Sequence, residues 1–168
     1  MTAIAFRIDA AVERDVPALA ILRRDVARDL TARHGIGHWS LEGSEAAVQR
    51  NMLGAHLLVA RAGETILGTL RLASRRPWAI DPAYFTPTRH PLYLTDMAVA
   101  PAHQGSGIGR RLLEAAREEA LRRRSGAIRL DAYDAAAGAG PFYLRCGFLP
   151  RGAVVYRDVP LLYFEWLP

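Results

Sequence analysis

The sequence contains no lysine, so arginine supplies all 22 of its basic residues. It has a single cysteine, Cys146, which excludes an internal disulfide and favours a reducing, cytoplasmic setting. No apolar run approaches the ~20 residues that a membrane-spanning helix needs. The first residues also lack the basic start and long apolar stretch of a signal peptide. We therefore expect a cytoplasmic protein with no membrane partner.

The sequence has only five histidines, and they are dispersed along the chain. His34 and His38 stand four apart, but the glycines between them predict that no helix aligns them, so we expect no metal site. The net charge of +5 makes a nucleic-acid binder a function to consider. Because the arginines are spread along the chain and most have acidic neighbours, we expect no nucleic-acid partner. An acidic cofactor is attracted by the same positive field.

The 168 residues predict a single domain, 1–168, because a chain of this length forms one substantial core. Apolar periodicity and turn signals predict the order β-α-α-β-β-β-α-β-α-β-β, an α/β (layered α+β) class with a mixed sheet. The helices are expected to begin near Asp15 and Ser44, which offer N-caps, and at Gly109 and Gly140. The predicted strands cover residues 4–8, 56–61, 65–73, 92–99, 127–133, 153–157 and 161–166, with an irregular loop over 74–91.

The most informative segment is a strand that leads into a glycine-rich turn and then directly into the strongest predicted helix. This segment, the glycine turn (residues 104–109), matches the pattern Gln/Arg-x-x-Gly-x-Gly/Ala with Gln104, Gly107 and Gly109. Glycines let a ligand approach the backbone closely, and the first N–H groups of a helix have no partner inside it. Together with the helix dipole they form a site for an anion such as a pyrophosphate.

Two other phosphate motifs fit this turn less well. The nucleotide P-loop requires lysine followed by serine or threonine, where this chain has Arg110 and Arg111. The dinucleotide fingerprint would start at Gly105, would require glycine at Arg110, and normally occupies the first strand–helix unit. Taken alone the pattern is weak, and a glycine turn that serves tight packing is the alternative. The preceding strand, which ends in Met-Ala-Val-Ala-Pro, strengthens the ligand-binding interpretation.

With these residues in view, the sequence resembles the GNAT (GCN5-related N-acetyltransferase) superfamily. The resemblance covers the strand and glycine turn, the strand at 127–133, and the segment Phe142–Phe148, which is similar to the family's F-Y-x-x-x-G-F element. It is densest from Leu92 to Phe148. The resemblance implies the acyl-CoA N-acyltransferase fold, with a mixed, mostly antiparallel central sheet, splayed strands 4 and 5, and flanking helices.

The resemblance also implies acetyl-CoA as co-substrate and no metal. Backbone amides of the glycine turn would bind the pyrophosphate, Gln104 would shape the turn, and main-chain groups of the preceding strand would pair with the pantetheine arm. The implied cofactor-binding residues are Met97, Ala98, Val99, Gln104, Gly105, Ser106, Gly107, Ile108, Gly109 and Arg110.

By the same resemblance, Tyr143 matches the family tyrosine that protonates the departing thiolate. A phenol with an ordinary pKa of ~10 is suited to this step, although a packed core aromatic is the alternative. No general base is assigned. Strand alternation places Asp96 away from the face of Tyr93 and Thr95, so we expect Asp96 to be structural. The acids on and after the next strand, Asp131 and Asp134, are further candidates for the base.

We expect the acceptor to be a primary amine of a small molecule that attacks the thioester directly. Aromatic side chains from the first helices and the 74–91 loop suit an amine or a cation, and are equally compatible with ordinary core. The expected acceptor-site residues are Tyr93, Thr95, Trp39, Trp78 and Tyr84. The alternatives are a protein or peptide N-acetyltransferase and a non-catalytic acetyl-CoA-binding sensor. The apolar C-terminal strand, 161–167, is compatible with a homodimer interface.

Overall fold

A computed structural model describes residues 4–168 and shows seven strands and four α-helices in them, joined by loops and short 3-10 turns. The strands are β1 (Arg7–Ala10), β2 (His56–Ala62), β3 (Thr65–Ala73), β4 (Leu92–Val99), β5 (Ile128–Tyr133), β6 (Leu149–Tyr156) and β7 (Val159–Trp166). The helices are α1 (Val16–His34), α2 (Glu45–Met52), α3 (Ile108–Arg122) and α4 (Gly140–Arg145).

The strands form one seven-stranded sheet in the hydrogen-bonded order β1-β2-β3-β4-β5-β7-β6. The pair β4–β5 is parallel, whereas β1–β2, β2–β3, β5–β7 and β6–β7 are antiparallel. The predicted mixed, mostly antiparallel sheet with flanking helices is therefore confirmed. Every predicted strand and helix has a counterpart in the observed element order.

The chain divides into two compact units. The first unit holds the residues up to Leu72 together with Asp96–Ala116, and the second holds Ala73–Thr95 together with Arg117–Pro168. The interpretation of residues 1–168 as a single domain stays a prediction.

The core of the first unit lies between α1, α2 and the β2–β3 hairpin. Pro17 stands in the first turn of α1, where its missing N–H is not needed. Leu19 and Leu22 of α1 pack with Val48 of α2 and Val59 of β2, and all four are almost fully buried. Burying one such aliphatic side chain stabilises a fold by about 1.5–3 kcal/mol, so this face fixes both helices on the sheet.

The two predicted N-caps have different outcomes. Ser44 accepts a hydrogen bond from the Ala47 N–H at 3.2 Å, so its cap of α2 is confirmed. Asp15 precedes α1, but its side chain makes no cap hydrogen bond. Its carboxylate instead accepts two hydrogen bonds from the Arg61 guanidinium, at 3.0 and 2.8 Å, and one from the Val12 N–H at 2.9 Å. The tertiary ion pair has displaced the local cap.

The β2–β3 hairpin brings its second strand close to the start of α3. Gly63, with φ of 57°, turns the chain between the strands, as glycine does in tight hairpins. A Cβ placed on Gly68 of β3 would lie 3.0 Å from the Ala98 carbonyl oxygen and 3.1 Å from the Ile108 side chain. Any side chain here would require these neighbours to move by a few tenths of an ångström, so glycine suits this approach of β3 to the end of β4 and the first turn of α3.

In the second unit, β7 is the central strand of an antiparallel group. It pairs with β5 along one edge and with β6 along the other. Leu161, Tyr163 and Phe164 of β7 are buried. The strand β7 is paired along both edges, and the homodimer stays a prediction.

The strand β6 is longer than its predicted segment, 153–157, and begins at Leu149. Its register with β7 shifts between Pro150 and Gly152, and Gly152 has a φ of 140°. Proline and glycine are depleted in regular strands and mark bulges, so the residue types in the first half of this strand do not predict it.

The loop over 74–91 is irregular, as predicted, and is tied to the sheet by a buried carboxylate. Glu165 of β7, which is fully buried, accepts hydrogen bonds from Arg129 of β5 at 3.2 Å and Arg151 of β6 at 2.7 Å. It also accepts the Thr86 N–H at 3.2 Å, and Arg129 donates to the Thr86 carbonyl at 2.7 Å. Three strands therefore share one network with the loop.

Candidate active site

The glycine turn adopts the left-handed backbone that its sequence predicts. Gly105 has a φ of 79° and Gly107 a φ of 86°, a region that other residues enter at a cost of about 1–2 kcal/mol. A Cβ placed on either glycine would meet nothing within 4 Å, so space around the turn is open. Glycine is required here by backbone conformation and not by crowding.

The amide groups after the turn are available to a ligand. The Arg111 N–H donates to the Gly107 carbonyl at 3.1 Å. The three N–H groups that precede it, on Ile108, Gly109 and Arg110, donate to no backbone carbonyl within the described part of the chain. They stand at the positive end of the 15-residue helix α3. The donor set and the open turn fit a pyrophosphate such as that of coenzyme A.

Side-chain and main-chain hydrogen bonds hold the turn on the end of β4. The Gln104 Nε2 donates to the Val99 carbonyl at 3.2 Å, and the Ser106 hydroxyl donates to the His103 carbonyl. The Ala100 N–H donates to the Leu67 carbonyl of β3 at 2.8 Å. The Gln104 bond ties the glycine turn to the last residue of β4, and the turn-shaping role implied for Gln104 stays a prediction.

The strand β4 separates from β5 soon after it begins. Only Leu92 with Ile128 and Tyr93 with Arg129 are paired, although β5 continues to Tyr133. The splay of strands 4 and 5 expected from the resemblance is therefore present. Past this point the main-chain groups of β4 are not engaged by β5.

An irregular residue interrupts β4 itself. Asp96 has a φ of 54°, so the two-residue alternation that was predicted from Tyr93 to Val99 does not hold across it. Its carboxylate forms an ion pair with Arg23 of α1 at 3.1 Å and accepts a hydrogen bond from the Asn51 side chain of α2 at 3.1 Å. These contacts give Asp96 the structural environment expected for it.

The expected acceptor residues of the second unit differ in their surroundings. Tyr93 is only 4% exposed and packs in an apolar cluster with Ile80, Phe85 and Tyr163. Tyr84 is 44% exposed and contacts the Tyr163 ring edge-to-face at 5.4 Å. Trp78 is 81% exposed. Tyr84 thus contacts one member of the cluster that includes Tyr93, and Trp78 lies on the surface of its loop.

The other two expected acceptor residues differ in the hydrogen bonding of their side chains. Trp39, in the first unit, is half-buried, and its indole N–H donates to the Gly35 carbonyl at 3.0 Å. Thr95, at the end of the second unit's part of β4, has a buried hydroxyl oxygen without a hydrogen-bond partner in the described residues. A buried hydroxyl of this kind needs a partner from water or a ligand.

The predicted acid, Tyr143, is buried in α4 with 6% of its surface exposed. Its ring contacts those of Phe148 at 5.7 Å and Phe164 at 5.9 Å. Burial raises the pKa of Tyr143 above its usual range, and the negative charge of Asp131 adds to this effect. The side chain is therefore a protonated phenol at neutral pH, which is the form that a proton donor needs.

The second half of the F-Y-x-x-x-G-F element explains how Tyr143 is held. Gly147, with φ of 82°, ends the helix in the left-handed conformation, and the Phe148 N–H returns to the Tyr143 carbonyl at 3.1 Å. Arg117 of α3 donates to the Cys146 carbonyl and stacks its guanidinium over Phe148 at 5.4 Å. Sequence analysis missed Arg117, because nothing in a run of helical charges marks one arginine as inward-facing.

The two candidate bases, one on β5 and one in the turn after it, differ in burial. Asp131 is half-buried, and burial raises the pKa of its carboxyl. Asp134 is exposed, and its main-chain N–H donates to the Pro160 carbonyl at 3.0 Å. Of the two, Asp131 has the environment of a base that is tuned toward neutral pH.

Residues 4–168 contain no group of three or more His, Cys, Asp or Glu side chains arranged to hold a metal ion. None of the helices in that range is both long enough and apolar enough to cross a membrane.

Comparison with known protein families assigns the class. A model described as the acetyltransferase (GNAT) family matches residues 22–148. Since this is well over half of the chain, the protein is an acetyltransferase by class. It belongs to the GNAT family, as the resemblance implied.

Solved structures share the fold over nearly the whole chain. The ribosomal-protein-alanine N-acetyltransferase from Brucella melitensis is 24% identical, with a TM-score of 0.71 over 96% of this chain and 99% of that chain. The protein yncA from Salmonella typhimurium, solved with its cofactor acetyl-CoA, is 20% identical, with a TM-score of 0.66 over 97% and 94%. An aminoglycoside 6'-acetyltransferase type Ii is 14% identical, with a TM-score of 0.70 over 96% of each chain. Among curated protein sequences, no match is found.

Proposed function

We propose that the protein transfers the acetyl group of acetyl-CoA to a primary amine of a small molecule, by direct attack of the amine on the thioester. The observation that carries this proposal is the set of open amides at the start of α3, behind a left-handed glycine turn, in a chain of the GNAT family. An anionic donor is the ligand for which such a helix start is suited.

In this proposal the N–H groups from Gly105 to Arg110 bind the pyrophosphate, and Gln104 keeps the turn on β4. Main-chain groups of Met97, Ala98 and Val99 pair with the pantetheine arm. The loss of β5 as a partner for β4 supports this role, because an extended ligand can then add to the strand edge. When bound, acetyl-CoA supplies an acyl carbon that is activated toward amines.

Tyr143 is proposed as the group that protonates the leaving thiolate. Support comes from its burial and its raised pKa, which keep the proton on the phenol until the reaction requires it. Burial disfavours a thiolate as well as a phenolate, so a low-dielectric site also favours protonation of the leaving sulfur.

The acceptor side is proposed to include Thr95, Tyr84, Trp78 and Trp39, with Tyr93 as part of the packed support. A small amine suits the aromatic side chains of these segments. The second candidate is acetylation of a protein amine, favoured by the shared fold with a ribosomal-protein-alanine N-acetyltransferase. A reducing, cytoplasmic location is in keeping with the single buried thiol, Cys146.

A thiol-release assay with acetyl-CoA tests these functions against each other. The panel contains polyamines, amino acids, aminoglycosides and a peptide with an N-terminal alanine. Release that depends on a small amine supports the proposal, and release that depends on the peptide supports the protein acetyltransferase. Tight acetyl-CoA binding by calorimetry without transfer to any amine would indicate a sensor.

A further inference from the structure

Two polar side chains of the second unit have unused hydrogen-bonding capacity near the place where β4 and β5 stop pairing. Thr95 has a buried hydroxyl oxygen with no hydrogen-bond partner within the described residues. Asp131 is half-buried, and its carboxylate accepts a hydrogen bond from its own main chain, but within the same residues it forms no ion pair and accepts no hydrogen bond from another side chain. Polar groups in such places are normally satisfied, so each of these residues has unused capacity to bind.

The register of the two strands relates these residues to each other. Tyr93 pairs with Arg129 in the parallel ladder, and that is the last pair. Two residues further along each strand stand Thr95 and Asp131, so the continued register would make them opposite neighbours. Side chains two residues apart on a strand share a face. Both polar groups therefore belong to the face of the sheet that carries Tyr93 and Arg129, beside the opening between the strands.

The groups around Asp131 leave its charge without a neighbouring cation. Tyr163, its register partner on β7, already donates its hydroxyl to the Ala79 carbonyl and accepts the Asp81 N–H at 3.1 Å. Arg129, on the same strand, is engaged by Glu165 at 3.2 Å. The other titratable groups that affect this region or lie on the surrounding elements include Tyr93 of β4, Tyr133 of β5, Tyr143 of α4, Cys146 after α4, and Asp81 and Tyr84 of the loop.

We propose that the Asp131 carboxylate binds the ammonium group of the acceptor and removes its proton, with the Thr95 hydroxyl accepting a second N–H of the same nitrogen. A partly buried carboxylate without a cation is a costly arrangement, and an ammonium ligand removes that cost. This inference names the base for the proposed function and rests on it.

The proton transfer balances as follows. One proton moves from the ammonium nitrogen to a carboxylate oxygen of Asp131, which becomes a neutral carboxylic acid. The nitrogen lone pair freed in this way forms the bond to the acyl carbon as the carbon–sulfur bond breaks, and the thiolate sulfur takes its proton from Tyr143. The second proton lost by the nitrogen leaves through water.

The test compares Asp131→Asn with Asp158→Asn, an exposed aspartate in the β6–β7 turn of the same unit. With acetyl-CoA and the most active amine of the panel, D131N should lower kcat/KM for the amine about 10²-fold at neutral pH, and D158N should not. The deficit of D131N should shrink as the pH rises toward the pKa of the amine, because free amine then needs no base. The KM for acetyl-CoA should be unchanged.

A second measurement is independent of activity. Because burial raises the folded-state pKa of Asp131, its ionised form destabilises the fold, and this cost is absent below the ordinary value of ~3.9. D131N should therefore have a higher Tm than the wild type at pH 7, and the difference should vanish in acid. In the same assays, Thr95→Val should raise the KM for the amine without changing the pH profile.

The outcomes separate the two proposals. A wild-type protein that transfers acetyl to no amine overturns the proposed function. A wild type that is active while D131N shows the same kcat/KM, or an equal loss at every pH, overturns only the role of Asp131. A D131N Tm at or below that of the wild type at pH 7 contradicts the uncompensated carboxylate on which the inference depends.

Discussion

At the scale of single residues, the environment of a side chain decides its role more than its position in a motif does. Asp15 stands where a helix cap is expected, yet it serves as the partner of Arg61, 46 residues away in sequence. The pattern of a cap is local, whereas this pairing depends on where β2 is placed by the core. Sequence therefore predicts the helix start correctly and the function of its first acid incorrectly.

Replacement of Asp15 by asparagine should destabilise the protein by about 3 kcal/mol, because it leaves the buried Arg61 guanidinium without its main partner. Asp9, at 3.4 Å from Arg61, limits the loss. Hydrogen bonding to Arg61 lowers the folded-state pKa of Asp15, so its contribution is present above the unfolded value of ~3.9 and is lost as the pH falls through the folded-state value. Urea unfolding at neutral and acidic pH measures both effects, and equal stability of the two proteins at neutral pH would contradict the pairing.

Tyr143→Phe should lower turnover about 10²-fold, since it removes the proton donor but keeps the ring packing. Acetyl-CoA affinity should stay the same. Because the pKa of Tyr143 is raised, wild-type turnover should not fall near pH ~10, where an ordinary phenol ionises. Steady-state kinetics across pH with calorimetry for the donor makes the comparison, and unchanged turnover in the variant would refute the assignment.

At the scale of elements, the sequence predicts what is locally coded and misses what depends on distant partners. The bounds of β4 agree with prediction, but its irregular residue Asp96 has no local signature and is held by α1 and α2. The helix α3 ends at Arg122, and Arg124, two residues further on, has a φ of 52°. The glycine turn was predictable because φ above zero favours glycine, and the glycines are visible in the sequence.

The glycine turn offers a matched pair of variants. Gly107→Ala and Gly54→Ala both place a side chain on a left-handed residue in open space, so each should cost about 1 kcal/mol of stability. Only Gly107→Ala should weaken acetyl-CoA binding, by about tenfold or more, because it displaces the amide groups at the start of α3. Calorimetric titration distinguishes them. Equal acetyl-CoA affinity in the two variants would remove the turn from the donor site.

At the scale of the whole molecule, donor binding should be visible as thermal stabilisation. A ligand at 100 times its Kd adds about 2.7 kcal/mol to the folded state, which corresponds to roughly 5–10 °C in Tm for a chain of this size. Acetyl-CoA and coenzyme A should both give this shift in a scanning experiment, and adenosine, which lacks the phosphates, should not. A similar shift with adenosine would show that the phosphates and the helix start contribute little.

The close approach at Gly68 links the hairpin to the donor chemistry without any contact to a ligand. A methyl group there would press on the Ala98 carbonyl and on the Ile108 side chain, the residue from which α3 begins. An alanine at this position, in the middle of a strand and remote from the glycine turn in sequence, would shift the helix origin by a few tenths of an ångström. Loss of cofactor affinity would then arise from a substitution that no motif search would flag.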